Sequence, residues 1–178
     1  LSAFYFDIRK DALYCDSKDS DRRSSSIIVL NIILESLIKW FAPILSFTTE
    51  EIYRLIDKDK KSIHLENFME FPKMFKNINL NKKWLELKKI RDICNVSIEA
   101  KRTAKEIGSS LESNLIISLN KDLYEISNQV DFAELCITSS ATVTRSTSEG
   151  VMVETKKATG NKCPVCWKIT QDKCARHS

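Results

Sequence analysis

Apolar positions recur at three- and four-residue intervals through the first hundred residues, and this period predicts helices. Phe4, Ile8 and Ala12 share one face of a first helix over residues 2–16, with Ser2 as its N-cap. A polar link over 16–21 precedes a second helix over 22–41. There Leu30, Leu34, Leu37 and Phe41 form a stripe that Ile28, Ile32 and Ile33 widen, which predicts the centre of a bundle. Pro43 ends or kinks it. Thr48 to Glu51 reads as a capping box opening a third helix to about residue 56. Residues 57–80 are polar and irregular, with Phe68, Phe71 and Phe75 expected to pin the loop down. A fourth helix over 82–107 places Trp84, Leu87, Ile90, Cys94 and Ile98 on one face, and Gly108 sits where a C-terminal cap belongs.

The period shortens after Gly108. Residues 115–119, 135–138, 142–145 and 151–155 read as short strands and 121–129 as a helix. The chain is therefore expected to be mainly α: a helical bundle over 1–108, a small α/β unit over 109–158 and a terminal module over 159–178. At about forty-five residues the α/β unit has little core of its own.

Composition narrows the class. The chain has 178 residues, with 3 Gly and 3 Pro, which excludes collagen-like and low-complexity readings. Ile27–Leu45 approaches the length of a membrane span, but Asn31, Glu35 and Lys39 interrupt it, so a buried helix is expected and no membrane partner. Position 1 is Leu, so a fragment of a longer protein is expected. The formal charge of +4 is an average over segregated segments: residues 1–80 are neutral, 81–107 carry +4, 108–153 carry −4 and 154–178 carry +4. Two basic elements thus flank an acidic spacer.

Cys15, Cys94 and Cys136 lie singly in apolar stretches and read as small buried hydrophobes. Cys163 and Cys166 form a C-x2-C knuckle, and Cys174 and His177 a C-x2-H pair seven residues later. Two tight turns offering two N or S ligands each suit a tetrahedral Zn2+. In so short a segment the metal would supply the folding free energy. With all four places filled by protein the ion would be structural. A redox C-x2-C pair and a metal-free tail are the alternatives, the former lacking the βαβ setting such motifs use.

Together, LSAFYFDIRKDALYCD at 1–16, Arg22-Arg23-Ser24, KWFAPILSFTTEEIY at 39–53, IGSSLE at 107–112 and CPVCW at 163–167 resemble one family. It is the C-terminal region of bacterial-type isoleucyl-tRNA synthetases, class I aminoacyl-tRNA synthetases. The family's usual second Cys pair is replaced here by Cys174 and His177. The resemblance implies a cytoplasmic, monomeric ATP-dependent isoleucine–tRNA ligase. Its catalytic and editing sites, with their ATP and Mg2+, lie outside these residues: H-x-G-H and K-M-S-K-S signatures do not occur in the sequence. What remains is expected to grip the anticodon stem and loop of an isoleucine tRNA.

RNA loops are held by cations on phosphates and by planar groups stacked on bases. Candidate contacts are Lys101, Arg102 and Lys105, leading into the backbone N–H groups of Gly108 to Ser110; Trp167, Lys168 and Arg176 in the terminal module; and Arg22 and Arg23. Each has a plainer role open to it: a solvated helix face, a cover over the knuckle for Trp167, and pairing with Asp16, Asp19 or Asp21 for the two arginines. A DNA-binding module and a protein-docking tail are the competing functions.

Overall fold

The computed structural model describes residues 2–56 and 61–177. By packing, the chain divides into two compact units, Leu1–Asp11 with Asn77–Ser178, and Ala12–Lys76. A π-helical turn, Ser2–Phe6, leads into α1, Asp7–Cys15.

The unit Ala12–Lys76 is built on α2, Asp21–Phe41, and α3, Ser46–Ile56. Ser20 caps α2, its Oγ accepting from the Arg23 N–H. Ile38, Ala42, Tyr53 and Ile63 form the core. The apolar stripe of α2 is not the buried centre of a bundle: Ser26, Ser36 and Ile38 are its buried residues, while Ile28 is 59% and Phe41 44% exposed. Within this unit α2 packs on α3 and the short turn Ile63–Leu65, too little surface to cover all its sides. By length and composition α2 is long and apolar enough to cross a membrane, and its Lys39 Nζ lies 2.8 Å from Glu35 and 3.7 Å from Glu66.

The capping box is not formed. The turn after Ala42 re-enters helix at Ser46, which leaves Thr48 and Glu51 inside α3, and Thr49 Oγ1 donates to the Leu45 carbonyl at 2.9 Å. Glu50 is the carboxylate that matters locally. It accepts from Arg54 Nε at 2.7 Å, Ser62 Oγ at 2.8 Å and the Ile63 N–H at 3.0 Å. These donors hold its pKa down to about 2. Tyr53 Oη donates to Glu66 at 2.7 Å. Polar contacts and Ile63, rather than aromatic rings, fix the loop: Phe68, Phe71 and Phe75 stay 65%, 43% and 59% exposed. Part of the expected irregular stretch, 57–60, lies outside the described residues.

In the other unit, α4 (Ile78–Thr103) begins at the Asn77 cap, whose Oδ1 accepts from Leu80 N–H at 2.9 Å. It ends earlier than Gly108. Lys105 takes the left-handed conformation (φ 58°), its N–H reaching the Arg102 carbonyl and the Glu106 N–H the Lys101 carbonyl. That pair of bonds is a Schellman ending, with Lys105 where glycine is usual. Leu87, Ile90, Cys94 and Ile98 bury the expected face, and Trp84 meets Phe4 edge-on at 6.4 Å between centroids.

The buried face of α4 rests on a three-stranded sheet in the order β2-β1-β3. Strand β1, Ser113–Leu119, alternates, turning Leu115, Ile117 and Leu119 into the core. Helices α5 (Lys121–Ser127) and α6 (Phe132–Leu135) then carry the chain to β2, Ser140–Arg145, which runs parallel to β1. Strand β3, Val151–Lys157, is antiparallel to β1, and its Thr155 exchanges a 2.7 Å bond with Ser97 of α4. The strand expected over 135–138 is instead the end of α6, capped by Asp131, and a turn in which Ile137 has φ 57°. Cys94 and Cys136 meet in this core; Cys94 and burial push the Cys136 thiol up, while Cys15 is half-buried.

Candidate functional site

The last residues fold as a hairpin of β4, Asn161–Lys162, and β5, Ile169–Thr170. Gly160 lets the two strands approach: it has φ 129°, and a Cβ there would collide with the Thr170 carbonyl. Between the strands the Cys163 N–H donates to the Lys168 carbonyl at 2.9 Å and the Trp167 N–H returns to the Cys163 carbonyl at 3.0 Å. This tight turn needs a left-handed residue, and Trp167 supplies it at φ 63°. A second turn, His177 N–H to Cys174 carbonyl at 3.0 Å, brings up the other pair.

All four expected ligands converge. The sulfur atoms of Cys163, Cys166 and Cys174 and a ring nitrogen of His177 lie within 4.8 Å of one another. Cys166 Sγ to Cys174 Sγ is 3.8 Å, and His177 Nδ1 is 3.4 Å from Cys163 Sγ and 3.3 Å from Cys174 Sγ. Bonds of about 2.3 Å to sulfur and 2.0–2.1 Å to nitrogen at tetrahedral angles put such atoms about 3.6–3.8 Å apart. These three separations are near that spacing, the remaining ones lie within 4.8 Å, and the group could hold a metal ion after a small contraction. The turn amides prepare it: the Cys166 N–H lowers Cys163 to about pKa 6, and the Arg176 N–H lowers Cys174. Burial raises Cys166 to about 11.

Ser139 joins this module to the sheet. Its hydroxyl donates to the Leu111 carbonyl at 2.5 Å and accepts from the Ile169 N–H at 2.6 Å. Arg176 makes a second link, donating to Asp11 Oδ2 at 2.8 Å. Neither had a sequence signal, since partners 30 and 165 residues apart leave no local pattern.

The structure gives several candidate cations local partners. Arg22 binds Asp16 through Nε at 2.7 Å and a second nitrogen at 2.9 Å, and Arg23 Nε donates to the Leu13 carbonyl. Lys101 pairs with Glu106 and Arg102 with Glu99, both at the exposed end of α4. The Gly108 N–H is taken by Glu112 at 2.8 Å, so it is not an open phosphate donor. Lys105 makes no ion pair among the described residues. With Arg102 and Gly108 it lines an open cleft of about 470 Å³. Near the start of α4, Lys88 sits 4.7 Å from the centre of the Phe4 ring and Arg91 donates to the Leu135 carbonyl. Trp167 is 59% exposed, with the Lys162 ammonium 5.6 Å from its ring. Lys168 is half-buried beside it.

The family profile described as "Anticodon-binding domain of tRNA ligase" matches residues 1–118. Over its whole length the chain is 72% identical to an isoleucine–tRNA ligase of Pelagibacter ubique, of which it covers 20%. Over 97% of its length it is 42% identical to an isoleucine–tRNA ligase of Agrobacterium fabrum and 41% identical to one of Bartonella henselae, covering 19% of each. It thus spans about a fifth of the curated relatives it matches. The ordered helices, the basic end of α4 and these matches agree: the chain belongs to the family of anticodon-binding domains of tRNA ligases.

Proposed function

We propose that the chain is the tRNA-binding part of an isoleucine–tRNA ligase and grips the anticodon stem and loop of isoleucine tRNA. The observation that carries this reading is the match along the entire chain to isoleucine–tRNA ligases. ATP-dependent aminoacylation, with its Mg2+, belongs in this reading to a catalytic segment elsewhere in a monomeric, cytoplasmic enzyme. The three-part organisation 1–108, 109–158 and 159–178 is kept as part of it, following functional segments along the chain.

Cys163, Cys166, Cys174 and His177 hold one structural Zn2+, whose role is to fix the two turns. Trp167 offers a base-stacking plane and Lys168 and Arg176 meet phosphates. Lys101, Arg102 and Lys105 form a second basic contact at the end of α4, and Arg22 and Arg23 a third. The ion pairs of Arg22, Lys101, Arg102 and Arg176 orient these side chains; at Lys101 and Arg102 a phosphate would compete with the exposed Glu106 and Glu99 at modest cost, whereas Asp16 and Asp11 are largely buried and hold their arginines more firmly.

Titration of the 178-residue chain with an isoleucine tRNA transcript, a second tRNA and duplex DNA at several salt concentrations tests the reading. Salt-sensitive binding to the first, weakened by anticodon changes, is expected. Equal binding to duplex DNA would favour a DNA-binding module, and no binding to any nucleic acid a protein-docking role.

A further inference from the structure

The last residues have no apolar core to set their shape. Among the described residues of 159–177 only Cys163 and Cys166 are buried, and both are metal donors. Each turn fixes the spacing of its own two donors with one backbone bond, Trp167 N–H to the Cys163 carbonyl and His177 N–H to the Cys174 carbonyl. Neither bond fixes one turn against the other. The separations across the turns are nevertheless short: Cys166 Sγ to Cys174 Sγ is 3.8 Å, and Cys163 Sγ to His177 Nδ1 is 3.4 Å.

Both turns are held from outside, at residues next to the donors. Ser139, immediately before β2, accepts from the Ile169 N–H and donates to the Leu111 carbonyl. Ile169 pairs with Lys162, the residue before Cys163. It also follows Lys168, whose N–H bonds the Cys166 sulfur and whose carbonyl receives the Cys163 N–H. Asp11 of α1 does the same for the second turn. Its carboxylate takes the Arg176 guanidinium at 2.8 Å, and the Arg176 N–H bonds the Cys174 sulfur. Ser139 and Asp11 are not among the four donors; they reach them through Ile169 and Arg176. Donors already held in place bind an ion more tightly, because less freedom is lost when it arrives. Outer-shell partners that orient metal ligands act in this way.

We infer that Ser139 and Asp11 are positioning residues of the metal site, each fixing one donor-bearing turn, so that ion affinity depends on two residues outside the module. The inference rests on the metal site proposed above and deepens it. By reciprocity the ion strengthens both anchoring bonds when it binds.

The two ideas separate experimentally. Zinc affinity is measured by competition with a chromophoric chelator for the 178-residue wild type, Ser139→Ala, Asp11→Ala and Ser97→Ala. Melting is followed with and without zinc. Ser97→Ala removes the bond from α4 to Thr155 of β3 and weakens the body of the unit without touching the module. Ser139→Ala and Asp11→Ala are each expected to lose about tenfold in zinc affinity, the lower end for outer-shell partners. Zinc should raise their melting temperatures less than it raises that of the wild type. Ser97→Ala should melt lower but keep the wild-type affinity and the wild-type zinc-induced shift, which a merely structural loss leaves unchanged. A loss below about threefold in either anchor variant, or a loss in Ser97→Ala as large as theirs, overturns the positioning role and leaves the metal site standing. A wild-type chain that takes up no zinc overturns the metal site itself.

Discussion

Arg176 donates to the carboxylate of Asp11 at 2.8 Å, tying the last turn of the chain to α1 across 165 residues. The side chains are 30% and 19% exposed, so solvent weakens the pair without abolishing it. Arg176 therefore has a structural duty besides the RNA contact proposed for it. Arg176→Ala and Asp11→Ala are each expected to lower the unfolding midpoint, with a coupling of about 0.5–1 kcal/mol in the double-mutant cycle. Only Arg176→Ala should also weaken tRNA binding and flatten its salt dependence. Lys168→Ala should do the same without a stability loss. Equal salt slopes in all three variants would remove the module from the phosphate-contacting surface.

The metal site carries a second expectation. Purified protein should hold about one equivalent of zinc, and Cys174→Ala markedly less. Thiolates bind the ion, so protons compete with it and affinity falls as pH falls. In metal-free protein Cys174, lowered and only half-buried, should be alkylated at neutral pH well before Cys166, which is buried and raised to about 11. Rates followed by mass spectrometry check the order; equal rates would mean the turns do not persist without the ion.

How much of this the sequence carried can be seen residue by residue. The four metal donors were legible because short loops set their spacing, and the buried face of α4 because helical period and burial coincide in Leu87, Ile90, Cys94 and Ile98. The end of α4 was not. Glycine at 108 looked like the stop, but the local hydrogen bonds close at Lys105, a residue with no special tolerance for positive φ. Residues 135–138 show the same limit: LCIT has strand-like composition, yet the Asp131 cap winds Phe132–Leu135 into helix and Ile137 turns the chain. For α2, the apolar stripe was real, but what lies against it cannot be read from its own period. The Asp11–Arg176 pair exists only through tertiary packing.

Glu50 gives a pH prediction. Its bonds to Arg54, Ser62 and the Ile63 N–H lower its pKa from 4.5 to about 2. A carboxylate depressed by folding stabilises the native state above the unfolded value and loses that contribution as pH falls through the folded one. The stability it lends should therefore be complete above about pH 4.5 and gone near pH 2. Glu50→Gln should lower stability at pH 7 and flatten the decline across this window. A parallel loss in wild type and variant would assign the acid sensitivity to other groups.

Trp167 separates strain from recognition. A left-handed backbone costs an ordinary L-residue about 1–2 kcal/mol, and glycine escapes that cost. Trp167→Gly would relieve it at φ 63° and forfeit the contact with Lys162, worth about 0.5–1 kcal/mol at an exposed site. The variant should melt at the wild-type temperature or slightly above, with its zinc retained. If the exposed ring stacks on a base, the same variant loses about 1–3 kcal/mol of binding, roughly fivefold or more in affinity. A bulky side chain kept in a strained conformation, half of it in solvent, is then maintained for binding at the expense of stability. Should Trp167→Gly bind tRNA as the wild type does and melt lower, the ring's duty is to cover the knuckle, and the stacking role falls.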